Sequence, residues 1–505
     1  MFLRALALLL LTGFVCLPQW SLPDWVGTEG RRLQIAFEMA DSGDWLVPTL
    51  GGQPTWAKPP LHYWIQGALS FVSRTDPWWL RLPSVLALFA AAWLGLELHR
   101  RWFSPAAGWV VALAVITAPV VVAGWPSVEI DPLFAALTAM SLWCLATGVA
   151  RERRGLVFWS GVLGGLAMLQ KGPPYFLFAS GAYLVWWRRR GLRQGLPHFV
   201  PLLLLPLAYY VPLWCLRVAP GEMLAVASDE SVGRVATFQM ANVLETPLYW
   251  LRAAAVQLPL LLWCFWEWRG ARDARMDATD LTLRMCSGAA VLAVVILTFF
   301  PGRPTRYLLP NVLLFPFAVA PAVAHYAGAG RELGRFARRG LRVAGVLGAL
   351  ALPVVPWFAD RIGYGAAGLA LGVALLPILV RTPRHLVAAC FAIPVLAGWT
   401  VILDRAAQWP DTGRARAAAG AVLRAELAAR GALSELASHG HIEGPMVLGA
   451  GVLPPGDEFA RQAPTARWVL HEAADRPPRH LEQYRERLRL CLPKQTFAVR
   501  ERAPQ

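Results

Sequence analysis

The chain has 505 residues, of which 56% are hydrophobic and only 16% charged, with 24 tryptophans and a formal net charge of +16. So apolar a composition excludes a set of water-soluble domains and points to a bilayer. The basic excess sits in short loops between apolar runs, which fits membrane flanks and excludes nucleic acid as the expected partner; membrane lipids take its place.

Apolar runs fall near 2–20, 80–98, 106–124, 131–149, 156–170, 173–187, 197–217, 248–268, 286–300, 306–325, 342–359, 365–380 and 386–403. They predict an all-α polytopic membrane protein of about 13 transmembrane helices, some shorter than the ~20 residues of a full crossing. The first run lacks a small-x-small cleavage site and reads as an uncleaved span. The seven cysteines show no metal-ligand spacing and read as small core residues.

With the N-terminus in the cytoplasm, every even-numbered helix ends in arginines, for example Arg100 and Arg101, then Arg151, Arg153 and Arg154. This alternation fixes the orientation by the positive-inside rule. It places outside two long loops, about 21–79 and 218–247, and everything from Asp404 onward. The first loop carries an amphipathic helix around Ile35 and Met39, with a second interfacial stretch at 62–72. The last hundred residues are less apolar. A helix over 412–437 and strands at 446–451, 466–470 and 496–499 predict a small soluble α/β domain. The domains are therefore 1–403, in the membrane, and 404–505, outside it.

Ionisable residues gather at the outside ends of these helices, where burying charge is costly unless it serves a site. They are Glu29, Arg31 and Arg32 after the first run, Lys58 in "WAKPPLHYW", Glu129 and Asp131 in "WPSVEIDPLF", and Lys171 in "LQKGPP". Glu230 and Arg234 in the second long loop, and Arg303 and Arg306 in "PGRPTRYLLP", complete the set. Carboxylates can take a proton from an acceptor, and lysine and arginine can hold a phosphate leaving group. Such a pocket suits an amphiphilic substrate with an anionic head. Each residue also has a plain alternative: a helix cap for Asp131, headgroup anchoring for Arg303, Arg306 and Lys171, a turn for Lys58. His439 and His441 read as an exposed tail loop.

The stretch "TEGRRLQIAFEMADSGDWLVPTLGGQPTWAKPPLHYW" resembles the first periplasmic loop of bacterial protein-mannosyltransferase-like glycosyltransferases, of which the aminoarabinose–lipid A transferases are a branch. Asp131, "KGP" at 171–173 and "RYLLP" at 306–310 resemble further features of that family in the expected order. The resemblance implies a GT-C-type fold in the bacterial inner membrane. It implies inverting transfer of a sugar from a polyprenyl-phosphate carrier to a lipid, glycan or protein acceptor on the periplasmic face. It makes Glu29 and Asp131 the catalytic carboxylates, singly or together, and Lys58 the contact to the carrier phosphate. Arg31, Lys171, Arg234, Arg303 and Arg306 would hold the donor head group. Two departures stand out. Thr28 occupies the place where the family's acidic pair begins with aspartate, and Ala57 the place of a carboxylate implicated in a metal site. No metal or other cofactor is therefore predicted, and a sugar other than aminoarabinose is expected. A lipid or solute flippase is the alternative function; it calls for symmetric halves and midplane charges, and the sequence shows neither.

Overall fold

The computed structural model describes residues 1–20, 28–50, 52–56, 58–190, 195–216, 281–298, 305–328, 335–351 and 373–408, with isolated helical positions at 422, 425 and 429 and four short strands beyond residue 435. Arg234 and Arg303, the apolar run at 248–268 and the strand expected at 446–451 lie outside the described residues.

The described membrane part is helical. Among the described residues, six helical stretches are long and apolar enough to cross a membrane: Phe2–Trp20, Pro77–Trp102, Pro105–Gly124, Ile130–Ala150, Leu196–Leu216 and Arg306–Gly328. The first is α1. An amphipathic helix, α2 (Glu29–Ser42), follows it and ends at Gly43, whose φ of 70° supplies the left-handed stop that glycine adopts without strain. A two-residue hairpin, β1 (Thr49–Leu50) with β2 (Gln53–Pro54), leads to α3 (Leu61–Ser70). Ile35, Ala36 and Met39 of α2 pack on Leu50 and Tyr63, so the expected interfacial pair α2–α3 forms one layer.

Helix α4 (Pro77–Trp102) begins with Pro77 behind an Asp76 cap whose carboxylate accepts the Trp78 amide at 2.9 Å, a helix start written in the sequence. The run expected at 106–124 divides into α5 (Pro105–Ile116) and α6 (Pro119–Gly124) because Pro119 cannot continue the helix before it. Helix α7 (Ile130–Ala150) is buried along almost its whole length, as a helix apolar on every face should be. It packs against α4, α8 (Arg154–Lys171), α11 (Leu281–Leu297) and α12 (Leu309–Gly328). Helices α9 (Pro174–Arg190) and α10 (Leu196–Leu216) flank α8. Leucines of α1 and α10 stay exposed, which suits lipid rather than water. Where α9 meets α11, a methyl added at Gly181 would lie 1.9 Å from the Gly288 carbonyl oxygen, the close backbone approach that membrane helices use to associate.

Two further helices, α13 (Arg335–Ala351) and α14 (Pro383–Gln408), follow. The strands form one sheet in the order β3 (Leu436–His439), β4 (Trp468–Glu472), β6 (Thr496–Arg502), β5 (Tyr484–Cys491). Leu436 and Ala437, expected at the end of a helix, are in β3. Strand β5 was not expected: "YRERLRLC" alternates arginine with apolar residues and has too little hydrophobicity to stand out, yet this period of two suits a sheet with one wet face.

Candidate active site

The hairpin α7–α8 brings the start of one helix and the end of the other to the same side. Asp131 lies in the first turn of α7, where the helix dipole favours a carboxylate. Lys171 is the last residue of α8, and its ammonium forms a hydrogen-bonded ion pair with Asp131 Oδ1. Arg306, just before α12, places Nε 3.6 Å from Asp131 Oδ2. One nearly buried carboxylate thus holds two cations from distant parts of the chain. The Lys171 ammonium also lies 4.5 Å from the ring centre of Tyr307 and 5.3 Å from that of Phe134, a cation–π setting. Gln170 donates to the Ile130 carbonyl at 3.1 Å and lies 3.4 Å from His62 Nδ1, which tethers the end of α8 to both α7 and α3.

Lys58 is half-buried in the segment before α3, followed by the buried Pro59 and Pro60. Those prolines exclude a helical conformation for Lys58. They also set it against the α8–α9 turn: a side-chain carbon added at Gly172 would sit 3.6 Å from Pro59 Cγ. The segments of the two proline-flanked lysines, 56 to 64 and 171 to 173, are therefore neighbours in space.

Glu29 has a different setting. It opens α2, is 1% exposed, and receives Arg81 in a bidentate pair, Nε to Oε1 at 3.1 Å and Nη2 to Oε2 at 2.9 Å. The Val128 amide donates to the same Oε1 at 2.7 Å. Arg81 is itself fully buried, and its Nη1 also reaches the Gln19 carbonyl at 3.5 Å. Glu29 therefore joins α1, α2, α4 and the segment leading into α7. That segment is pinned from the other side by Ser84, whose carbonyl accepts the Trp125 indole N–H at 2.8 Å and whose Oγ accepts the Ser127 amide at 3.2 Å.

Beside it, Thr28 donates to Glu129 through its amide, at 2.8 Å to Oε1, and through its hydroxyl, which lies 2.9 Å from Oε1 and 2.8 Å from Oε2. Thr28 is the N-cap residue of α2 and Glu129 that of α7, and neither side chain caps its own helix. An unused cap gives up about 1 kcal/mol. In the first turn of α2, Arg32 donates to the Tyr63 hydroxyl at 3.1 Å. Burial opposes its charge, but Tyr63, Glu129 and Asp131 outweigh burial and hold the guanidinium above its ordinary value. The Nε atoms of Arg31 and Arg32 are buried without a hydrogen-bond partner among the described residues. His62 is buried beside Arg32; burial, then that charge, pushes its pKa down to about 3.

The structure thus brings Glu29, Lys58, Asp131, Lys171 and Arg306 of the expected set to one end of the bundle, with Arg31 on the adjoining turn of α2. Arg81, Gln170 and Tyr307 join the site from outside the expected set. Arg81 carried a signal, an arginine at the head of an apolar run, where a charge needs a buried partner.

Residues 57–214 match the family described as Dolichyl-phosphate-mannose-protein mannosyltransferase. An undecaprenyl phosphate-alpha-4-amino-4-deoxy-L-arabinose arabinosyl transferase of Pseudomonas savastanoi pv. phaseolicola is 27% identical over 75% of this chain and 68% of its own length. A like-named transferase of Pseudomonas fluorescens is 25% identical over 64% of this chain, and one of Edwardsiella ictaluri 25% over 66%; the matches span 58% and 62% of those two proteins, under two thirds of their lengths. In fold, the chain is similar to ArnT from Cupriavidus metallidurans, solved bound to undecaprenyl phosphate: TM-score 0.71 at 19% identity, covering 100% of this chain and 99% of that one. The apo state of the same protein gives a TM-score of 0.67. In sequence and in fold, the chain is related to the GT-C-type membrane glycosyltransferases of the aminoarabinose–lipid A transferase group.

Proposed function

We propose that the chain transfers a sugar from undecaprenyl phosphate to lipid A, with inversion, at the periplasmic face of the bacterial inner membrane. The observation that carries this reading is the Asp131–Lys171–Arg306 cluster. Two cations meet one carboxylate at the mouth of a bundle of membrane-length helices. A polyprenyl phosphate offers the matching chemistry, with its chain among the helices and its phosphate displacing Asp131 as partner of the cations. Lys58, next to the same turn, adds a third positive charge, and Arg31, Arg234 and Arg303 complete the binding of the head group. In the reaction an acceptor oxygen attacks the anomeric carbon, the bond from that carbon to the phosphate oxygen breaks, and the electron pair leaves with the phosphate. Glu29, held by Arg81 and Val128, keeps the first loop in place around the site.

The opposite end of the bundle supports the orientation. There Arg101, Arg151 and Arg153 surround Trp102 at 5.3, 5.6 and 5.7 Å, an arginine-rich aromatic girdle suited to the cytoplasmic side. The N-terminus then lies in the cytoplasm, the membrane part completes about 13 spans, and the C-terminal α/β domain lies in the periplasm near the acceptor.

The relatives' shared specificity makes 4-amino-4-deoxy-L-arabinose the donor sugar to assay first, although Ala57 argues for another. Mass spectrometry of envelope lipids from cells with and without the protein should show one sugar modification lost from lipid A, and names the sugar directly. Unchanged envelope lipids, or net flux without product in proteoliposomes, would overturn the reading.

A further inference from the structure

Three carboxylates, Glu29, Glu129 and Asp131, gather at the site, and their surroundings divide the work among them. Glu29 is buried in a bidentate pair with Arg81. Asp131 is nearly buried against Lys171 and Arg306. Glu129 is only partly buried and makes no ion pair among the described residues; its hydrogen bonds come from the neutral amide and hydroxyl of Thr28. Two helices forgo their caps to make this contact. Arg32 interacts electrostatically with both Glu129 and Asp131, but of these two only Asp131 is ion-paired among the described residues. The buried Nε atoms of Arg31 and Arg32 on the same turn, without a hydrogen-bond partner among the described residues, are donors placed for a ligand there. A base must accept a proton, and a carboxylate neutralised by a bound cation is the poorer acceptor.

We propose that Glu129, aimed by Thr28, is the base that takes the acceptor's proton; this rests on the transfer reaction proposed above. As the acceptor oxygen bonds to the anomeric carbon, its proton passes to a Glu129 oxygen. The electron pair of the breaking bond leaves on the carrier phosphate beside Lys171 and Arg306. Glu129 then gives its proton to water. Thr28 and Glu129 lie at the two ends of one contact, so a carboxylate placed at residue 28 would face the same site, next to the turn that carries Asp131.

The test uses full-length protein in detergent with undecaprenyl phosphate-α-4-amino-4-deoxy-L-arabinose as donor and lipid A as acceptor. No transfer by wild type, together with unchanged envelope lipids, overturns the transfer reading and this inference with it. With wild type active, Glu129→Gln should lower kcat about 10²–10⁴-fold, leave KM for the donor within about threefold, and abolish the acidic limb of the kcat–pH profile. Glu129→Asp should keep more activity than Glu129→Gln. Adding Thr28→Asp to Glu129→Gln places a carboxylate at the other end of the pair and should recover transfer about tenfold or more. Full transfer by Glu129→Gln with an unchanged pH profile overturns the inference and leaves the transfer reading standing. If Glu129→Gln also lowers thermal stability, the double variant decides: recovered stability without recovered transfer overturns the proposal.

Discussion

Thr28 and Glu129, 101 residues apart, are joined through the Thr28 amide and hydroxyl by three contacts of 2.8 to 2.9 Å, and each residue leaves its own helix uncapped to make them. This contact locks the start of α2 to the start of α7. One residue later in the chain, Glu29 repeats the connection through the Val128 amide and Arg81. The first outside loop is thereby clamped over the ends of α7 and α8, which carry Asp131 and Lys171.

The clamp makes Arg81 a stability residue. Its partner Glu29 is buried, so Arg81→Ala leaves a carboxylate without its cation. Breaking such a pair costs about 3–5 kcal/mol, whereas replacing both partners by apolar residues of similar volume costs much less. Thermal unfolding in detergent should show Arg81→Met strongly destabilised and Glu29→Leu/Arg81→Met well above the sum of the single losses. An Arg81→Ala protein melting like wild type would remove the clamp from this account.

Asp131 and Lys171 should separate binding from transfer. Lys171→Met removes a phosphate partner worth about 1.5–3 kcal/mol, so undecaprenyl phosphate binding should weaken about tenfold or more. Asp131→Asn releases Lys171 and Arg306 from their internal partner, so the same lipid should bind at least as tightly while transfer falls. Titration of purified protein with undecaprenyl phosphate measures both. Equal loss of binding in the two variants would show that the cluster acts only as scaffold.

Much of this was legible before the structure. The apolar runs marked most of the described helices within a few residues, since a run of apolar residues is a local signal; the start of α4 at Asp76–Pro77, three residues before the expected run, shows what capping adds to it. The grouping of Asp131, Lys171 and Arg306 followed from the alternation of helix direction, which puts three loop ends on one side. The pairing was not legible. Whether Glu29 meets Arg81 or the Asp131 cluster depends on contacts 52 residues apart in sequence, and no local pattern fixes them. Strand β5 was hidden for the opposite reason, because its local pattern is strong in period but weak in hydrophobicity.

Gly172 should be intolerant of substitution. Its φ of 84° and ψ of −148° lie where only glycine is comfortable, and it connects Lys171 to Pro173. Space is not the obstacle, since Pro59 Cγ lies in ordinary contact range of an added methyl. Backbone strain of about 1–3 kcal/mol is. Gly172→Ala should therefore rotate the turn, move the Lys171 ammonium off Asp131, and reduce transfer about tenfold or more with a smaller effect on melting temperature. Wild-type turnover in Gly172→Ala would show that the turn does not position Lys171.

His62 gives the folded protein a dependence on acid. Its pKa falls from an ordinary 6.5 to about 3 because it is buried beside Arg32. Between these values the unfolded chain binds one proton more than the folded chain. Stability therefore rises with pH across that window at about 1.4 kcal/mol per unit, is lost as pH falls below 6.5, and is flat above it. His62→Gln keeps a polar group beside Gln170 and removes the titration. Melting temperatures between pH 7.5 and 5 should fall more steeply for wild type than for His62→Gln, the difference opening below about pH 6.5. Parallel curves across that range would mean that His62 protonates in place, with its proton accommodated at the α3–α8 contact.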